Sequence, residues 1–332
     1  MIKGPVEGAL ENPERFRELV MERCAPVVLR GAARHWPMLA RGDLQAVVDH
    51  LLRFEAGRTA EVFVGAPEMG ARYHYDEALT GFNFTRETMS FREALAEIID
   101  TAGARDRPTR YMGSLTAETY FPGIEETVRL PFVPSAVRPR FWIGHPSTAA
   151  CHYDTMDNVA CVVAGRRRFT LFPPDAIADL YIGPIDHTLA GQPVSLAVGS
   201  APGDPRFPRF ERARERALIV DLEPGDALYL PKLWWHQVEA TGEVNVLVNY
   251  WWDGFATGPD QPYTAMMLAL IAIAERPPAE RAAWRAWFDH YVFRPEGHPL
   301  SFLPAEHHGL LGPQKENHGR IRALVMRMLR GG

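Results

Sequence analysis

Three side chains in this sequence have the types and spacing to share a divalent metal ion. His152 and Asp154 sit two apart in CHYDTMDN, and His236 follows in LPKLWWHQVEA. Two imidazoles and one carboxylate on one face leave coordination positions open, the donor set that suits a non-haem Fe(II) centre. Alternate residues of a strand point the same way, so an extended segment would bring His152 and Asp154 together. Each also has an ordinary alternative, a histidine packed in the core or an aspartate at a turn. The chain carries its own competitor, because His74-Tyr75-Asp76 repeats the tripeptide. Spacing cannot choose between them, but surroundings do. The second copy runs into the strand-like NVACVVAGRRRFTLFPPD, whereas the first runs into the loop-like EALTGFNF. Context favours 152–154.

Polar residues inside apolar runs come next. In RRRFTLFPP, Arg167 shares strand parity with Phe169 and Leu171, while Arg166 and Arg168 share it with Thr170. A cation on an apolar face needs an anionic partner, and the guanidinium fork suits a carboxylate. That carboxylate is either a structural Asp or Glu or a bound acid. Asn245 and Asn249 share one face of VNVLVNYWW. Asparagine is disfavoured in strand centres, so each has a hydrogen-bonding role at a site or in a core polar network. Trp234, Trp235, Trp251 and Trp252 read as barrel-core or rim packing rather than a substrate cage, with Trp251 the one to watch. His145, His187, His290, His298, His307, His308 and His318 lack companions at ligand spacing and read as surface or structural.

Elements must position these groups, and the chain shows three zones. Up to about residue 105, helices mix with short strands. Asn12 before Pro13 is a helix start, and Ser90 with Glu93 forms a capping box opening SFREALAEIID. PVVLR (26–30) and AEVFVG (60–65) read as buried strands. From about 108 to 256, RPRFWIG, NVACVVAG, RRFTLFP, ALIVDL, DALYLP and VNVLVNYWW are separated by Gly, Pro and Asp, the pattern of an all-β sandwich or barrel. From about 262 the chain turns helical. Trp284, Trp287, Phe288 and Tyr291 share a helical face, as do Ile321, Leu324, Val325, Met328 and Leu329. The division expected is a β core with its N-terminal elements over 1–260 and a helical extension over 261–332.

Composition bounds the function. The 332 residues carry a net charge of −5, which argues against a nucleic-acid surface, as does the lack of a basic stripe or zinc-finger spacing. Three cysteines without a CxxC pair make no disulfide framework, so reduced thiols are expected. MIKGPVEGALENPERF lacks a signal-peptide apolar core. The apolar run 265–274 is shorter than the roughly 20 residues a membrane span needs. A cytoplasmic protein with no membrane partner is expected. The 265–274 helix would be buried or form a subunit contact.

The linked segments HYDTMDN through GRRRFTLFPPD, GDALYLPKLWWH and VNVLVNYWW resemble the JmjC/cupin-like Fe(II)- and 2-oxoglutarate-dependent oxygenases, especially those similar to the factor-inhibiting-HIF asparaginyl hydroxylase. The resemblance extends to APVVLRGAARHWP, YHYDEALTGFNF and RYMGSL, covering about residues 25–256. It implies a mainly β double-stranded β-helix, or jelly roll, with flanking N- and C-terminal helices. It further implies iron on His152, Asp154 and His236, and a co-substrate pocket lined by Asn158 and Asn249. Tyr111 matches a tyrosine that reaches the distal carboxylate of 2-oxoglutarate. Arg167 stands where these relatives usually carry a lysine for that carboxylate, and Ala149 stands where they carry a threonine. Thr148 is adjacent, but strand alternation points it elsewhere. The implied activity is hydroxylation of a protein side chain or small molecule with dioxygen, releasing succinate and CO2. A homodimer through the C-terminal helices is implied by the same analogy. Two other readings stay open: a metal-binding cupin acting without 2-oxoglutarate, and a non-catalytic cupin-like sensor or scaffold.

Overall fold

β-Branched and aromatic residues in short runs between glycines and prolines give thirteen strands in the computed structural model, which describes residues 4–5, 7–104, 106–185, 192–256 and 258–331. The strands are β1 (Val27–Leu29), β2 (Thr59–Gly65), β3 (Arg72–Tyr73), β4 (Thr85–Ser90), β5 (Thr109–Thr116), β6 (Pro139–Gly144) and β7 (Ser147–His152). They continue with β8 (Asp157–Ala164), β9 (Arg167–Phe172), β10 (Leu218–Leu222), β11 (Ala227–Leu230), β12 (Trp235–Ala240) and β13 (Asn245–Trp252). The last eight cross between two sheets. One has the order β11-β8-β13-β6 and the other β10-β9-β12-β7, with every pairing antiparallel. This is the jelly roll expected from the sequence. The first sheet grows to eight strands by adding β1 at one edge and β5, β2 and β4 at the other, and the second grows to five with β3.

Both faces of β8 are buried, which explains its unbroken apolar run. Val159, Cys161 and Val163 face a core that includes Phe16, Leu51 and Phe91. Ala160 and Val162 face Phe169, Leu171 and Leu228 in the space between the sheets. The helix Phe91–Asp100 buries Phe91, Ala94, Leu95 and Ile98, an i, i+3, i+4, i+7 stripe. Fully burying each large side chain there is worth about 1.5–3 kcal/mol. Its capping box is formed in full, Ser90 and Glu93 each satisfying the other's backbone N–H. Asn12 caps the helix Pro13–Leu19 through the Arg15 N–H at 3.0 Å. Strands β3, β4, β5 and β7 were not separately legible in the sequence; β3 has two residues and β4 exposes four of its six.

The chain divides into two units, Met1–Gly254 and Phe255–Gly332. The second carries the helices Pro262–Ile273, Pro278–Phe288 and Gln314–Arg330. None of the residues of Pro262–Ile273 is buried, and Ile271 is 82% exposed. Trp284, Trp287 and Tyr291 form an exposed aromatic row with centroids 6.1 and 5.6 Å apart. No helix among the described residues is long and apolar enough to cross a membrane. Cys24, Cys151 and Cys161 are all unbridged.

Candidate metal centre and co-substrate cavity

β7 and β12 pair so that His152 stands opposite His236. The register then shifts, because Val238 faces Ala149. Two residues on β12 therefore span three on β7, a β-bulge. Simple alternation would send positions 149 and 152 to opposite faces. The bulge turns both into the same cavity, and the neighbouring Thr148 is not among its lining residues. Asp154 corrects the sequence expectation, since β7 ends at His152 and the aspartate lies in the connection to β8. Tyr153 between them packs edge-on against Trp235 at 4.8 Å. The Leu233 N–H donates to the Asp154 carbonyl at 2.9 Å, fixing the connection.

One ligand atom from each of His152, Asp154 and His236 lies within 4.8 Å of the others. The His236 Nε2 is 3.8 Å from Asp154 Oδ2, and the two imidazole centroids are 4.3 Å apart. Each histidine Nδ1 faces a backbone carbonyl, Ala150 at 2.8 Å and Trp234 at 2.9 Å. A carbonyl only accepts, so Nδ1 carries the hydrogen and Nε2 keeps its lone pair. This is the tautomer and second hydrogen bond that metal-ligating histidines use. Burial, reinforced by His152, pushes His236 well below the usual imidazole range. Burial pushes the Asp154 carboxyl up, opposed by His152 and by the Trp251 indole N–H. That N–H is buried beside the carboxylate, at a geometry short of a formed hydrogen bond. Two imidazoles that turn their Nε2 atoms inward and a desolvated carboxylate fit a divalent cation, whose charge would compensate the carboxylate.

The three residues open onto a cavity of about 170 Å³, which Tyr111, Asn158, Arg167 and Asn249 also line. Arg167 is 5% exposed, and its Nε has no hydrogen-bond partner. No ion pair joins it to a carboxylate among the described residues, so the structural Asp or Glu left open by the sequence is not there. Burial pushes its guanidinium down to about 10, with the neighbouring Tyr111 acting against the shift. Burial likewise raises the Tyr111 phenol to about 12. Arg167 pairs with Ala240 and His236 with Leu171, a four-residue offset that places them roughly 13 Å apart along the sheet. A guanidinium and the candidate metal site thus occupy opposite ends of one cavity.

A chain of amides forms the floor. The Trp142 Nε1–H donates to Asn249 Oδ1 at 2.8 Å, and Asn249 Nδ2 donates to Asn158 Oδ1 at 3.2 Å. Indole is only a donor, so it sets the orientation of both amides and leaves the Asn158 NH2 as the free end. Asn245 is different: its side chain accepts from the Gly242 N–H at 3.1 Å and braces the turn before β13. Trp142 also stacks on Tyr111 at 6.2 Å and meets Trp251 edge-on at 5.5 Å.

The remaining histidines separate cleanly. His74 lies 3.3 Å from the Ser195 carbonyl, and Asp76 accepts from the Thr80 N–H, so the first HYD joins no metal-ligand cluster among the described residues. His145 is buried and structural, accepting from the Arg110 N–H at 3.0 Å. His298 and His308 stack on each other at 4.4 Å. His187 lies outside the described residues. Sequence reasoning missed Phe63, Tyr73, Phe84, Trp142 and Gln192 in the cavity wall. Trp142 was accessible through its alternation with Phe141 and Ile143 in RPRFWIG; Gln192, whose buried Oε1 has no partner, gave no signal.

The profile of the cupin-like domain matches residues 13–258. Jumonji C domain-containing protein 5 of Drosophila melanogaster is 26% identical over 252 residues, covering 72% of this chain and 57% of that protein. Lysine-specific demethylase 8 of Xenopus tropicalis is 25% identical over 249 residues, or 72% of this chain and 51% of its own length. HSPB1-associated protein 1 of Bos taurus is 34% identical over 146 residues, or 42% of this chain and 30% of its own. The chain therefore spans about half the length, or less, of these curated relatives.

Proposed function

The chain belongs to the cupin-like domain family, and from that membership we propose that it is an Fe(II)- and 2-oxoglutarate-dependent oxygenase that hydroxylates its substrate. The observation that carries this reading is Arg167: a buried guanidinium without a protein carboxylate, in the same cavity as the His152, Asp154 and His236 cluster. Leaving such a charge unpaired is costly, and a diacid reaching from the metal would supply both the partner and the second anchor. His152, Asp154 and His236 would hold the iron, which when bound supplies oxidative decarboxylation of the keto acid to succinate and CO2 and the oxidising power for hydroxylation.

The protein's own groups bind and orient. Arg167 takes the distal carboxylate through its planar fork, and the Tyr111 hydroxyl, kept protonated by burial, donates to the same group. Asn158 offers its free amide NH2 to the co-substrate, held by Asn249 and Trp142. The aromatic wall of Phe63, Tyr73, Phe84 and Trp142 gathers around Tyr111 and keeps water from the carboxylate end. The substrate is a protein side chain or a small molecule. A protein substrate accords with relatives named as a lysine demethylase and an HSPB1-associated protein. A cytoplasmic homodimer through the exposed apolar helices of Phe255–Gly332 belongs to the same reading.

The test is an anaerobic titration of Fe(II)-loaded protein with 2-oxoglutarate, followed by the visible charge-transfer band of keto-acid chelation. A saturable band that disappears in His236→Ala supports the reading. Iron demonstrably bound without any band would transfer it to a cupin that works without 2-oxoglutarate or to a non-catalytic sensor.

A further inference from the structure

The turn before β12, Pro231 to Trp234, touches both Asp154 and His236 of the candidate metal cluster. Its Leu233 N–H holds the Asp154 carbonyl at 2.9 Å, and its Trp234 carbonyl accepts the His236 Nδ1–H at 2.9 Å. Leu233 sits at φ +67°, the left-handed region that L-residues with side chains rarely adopt. Strain of this kind persists only where the surroundings over-determine it, and here they do. The Trp234 Nε1–H donates to the Cys24 carbonyl at 3.0 Å. Lys232, one residue before the strained position, sends its ammonium between two carboxylates: Asp157, 3.4 Å away at the start of β8, and Asp253, just past the end of β13.

Asp157 is the hub of this arrangement. It is 1% exposed, and besides Lys232 it accepts from the Tyr229 hydroxyl at 3.1 Å and the Gly254 N–H at 3.2 Å. It lies three residues after Asp154, and Asp253 lies two after Trp251, whose indole N–H faces the Asp154 carboxylate. One ion network therefore ties together the three segments that bring Asp154, His236 and Trp251 to the cavity. A buried pair is weak evidence for global stability, because desolvation offsets much of its attraction. Its geometric effect is not offset in that way.

We propose that Lys232, clamped between Asp157 and Asp253, is a positioning residue that fixes the distance between Asp154 and His236 and so sets the affinity of the centre for its metal. This rests on the metal-centre reading above. The clamp acts through the Leu233 turn: with Lys232 released, the left-handed Leu233 relaxes and its N–H leaves the Asp154 carbonyl. The ligands then need reordering each time the ion binds.

The experiment titrates the full-length apoprotein with Co(II), read by its visible ligand-field spectrum, and with Mn(II), read by calorimetry. Thermal midpoints of the metal-free proteins are recorded in parallel. Wild type should bind one equivalent of each ion. Lys232→Met should bind about 10- to 100-fold more weakly, as when groups supporting metal ligands are lost, with an altered Co(II) spectrum and a folded apoprotein. Lys232→Arg should recover most of the affinity by again spanning Asp157 and Asp253. Equal affinities and superimposable spectra for wild type and Lys232→Met would overturn the proposal. So would a loss of affinity that merely follows a loss of apoprotein stability and is not rescued by Lys232→Arg. If Lys232→Met does not fold, Asp253→Asn answers the same question, since it weakens the clamp from its partly exposed end. A wild type that takes up neither ion would instead overturn the metal-centre reading, and the clamp proposal with it.

Discussion

His152 and His236 are direct cross-strand partners whose ring centroids lie 4.3 Å apart, each with its Nδ1–H donated to a carbonyl two residues back along the chain. At that separation one ligand nitrogen from each ring can reach a single ion. Replacing His236 with Ala should therefore cost metal affinity beyond the roughly 10- to 100-fold typical of supporting residues, while the fold survives. Metal titration with circular dichroism checks this; retention of wild-type affinity would remove His236 from the ligand set.

Arg167 predicts an opposition between stability and binding. Its guanidinium is desolvated without a protein partner, so Arg167→Met replaces an uncompensated charge with an apolar chain of similar length. The apoprotein should melt at a higher temperature. Binding of 2-oxoglutarate should weaken by about 2–5 kcal/mol, the usual cost of removing one partner from a buried charged contact. Thermal melts and co-substrate titration read the two effects separately. A variant that is less stable and binds equally well would contradict the assignment.

The amide chain makes a second binding prediction. Asn249→Ala orphans the Trp142 N–H and frees the Asn158 amide to rotate. Leaving a buried donor unsatisfied costs about 1–3 kcal/mol, so urea melts should show a drop of that order. The KM for co-substrate should rise together with it. An unchanged KM would confine Asn249 to packing.

His145 gives a pH dependence that does not involve the metal. Burial, aided by Arg107, pushes its pKa down to about 4 from 6.5. Between those values the unfolded chain binds a proton that the native protein refuses, so stability rises with pH across that window and is lost on acidification. Above 6.5 the residue contributes no slope. His145→Asn keeps an acceptor for the Arg110 N–H and should flatten urea midpoints measured from about pH 4 to 6.5. The same slope in both proteins would show that other groups cause it.

The apolar surface of Phe255–Gly332 predicts self-association. Ile271, Trp287, Phe293 and Phe302 are each at least 60% exposed, an arrangement a second copy of the chain would cover. Mass in solution should correspond to a dimer for the whole chain and to a monomer after truncation near residue 260. A monomer mass in both would rule this out.

Much of this was readable from residues because strand parity is short-ranged. Arg167 with Phe169 and Leu171, and Asn249 with Leu247 and Trp251, keep the same face in the structure as in the alternating pattern. The candidate metal triad needed more than spacing, since His74-Tyr75-Asp76 has the same spacing; only the neighbouring strand runs separated the two. Position 149 shows where parity fails: a bulge of one residue in β7 is set by cross-strand pairing that no local pattern reports. Nor could the left-handed Leu233 be foreseen, because its conformation is imposed by groups far apart in sequence. Cavity-wall residues such as Phe63 on β2 and Gln192 come from outside the β6–β13 jelly roll, and their meeting is decided by the fold as a whole.

On β8 and β13, residues that maintain the fold and residues that face the cavity occupy alternate positions of the same strand. Val159, Cys161, Val248 and Tyr250 belong to the core, while Asn158, Ala160, Asn249 and Trp251 face the chamber. A change on the chamber face alters the cavity without removing an apolar contact from the outer core. The same two strands thus carry an outer face that holds the protein together and an inner face whose side chains set the shape of the chamber.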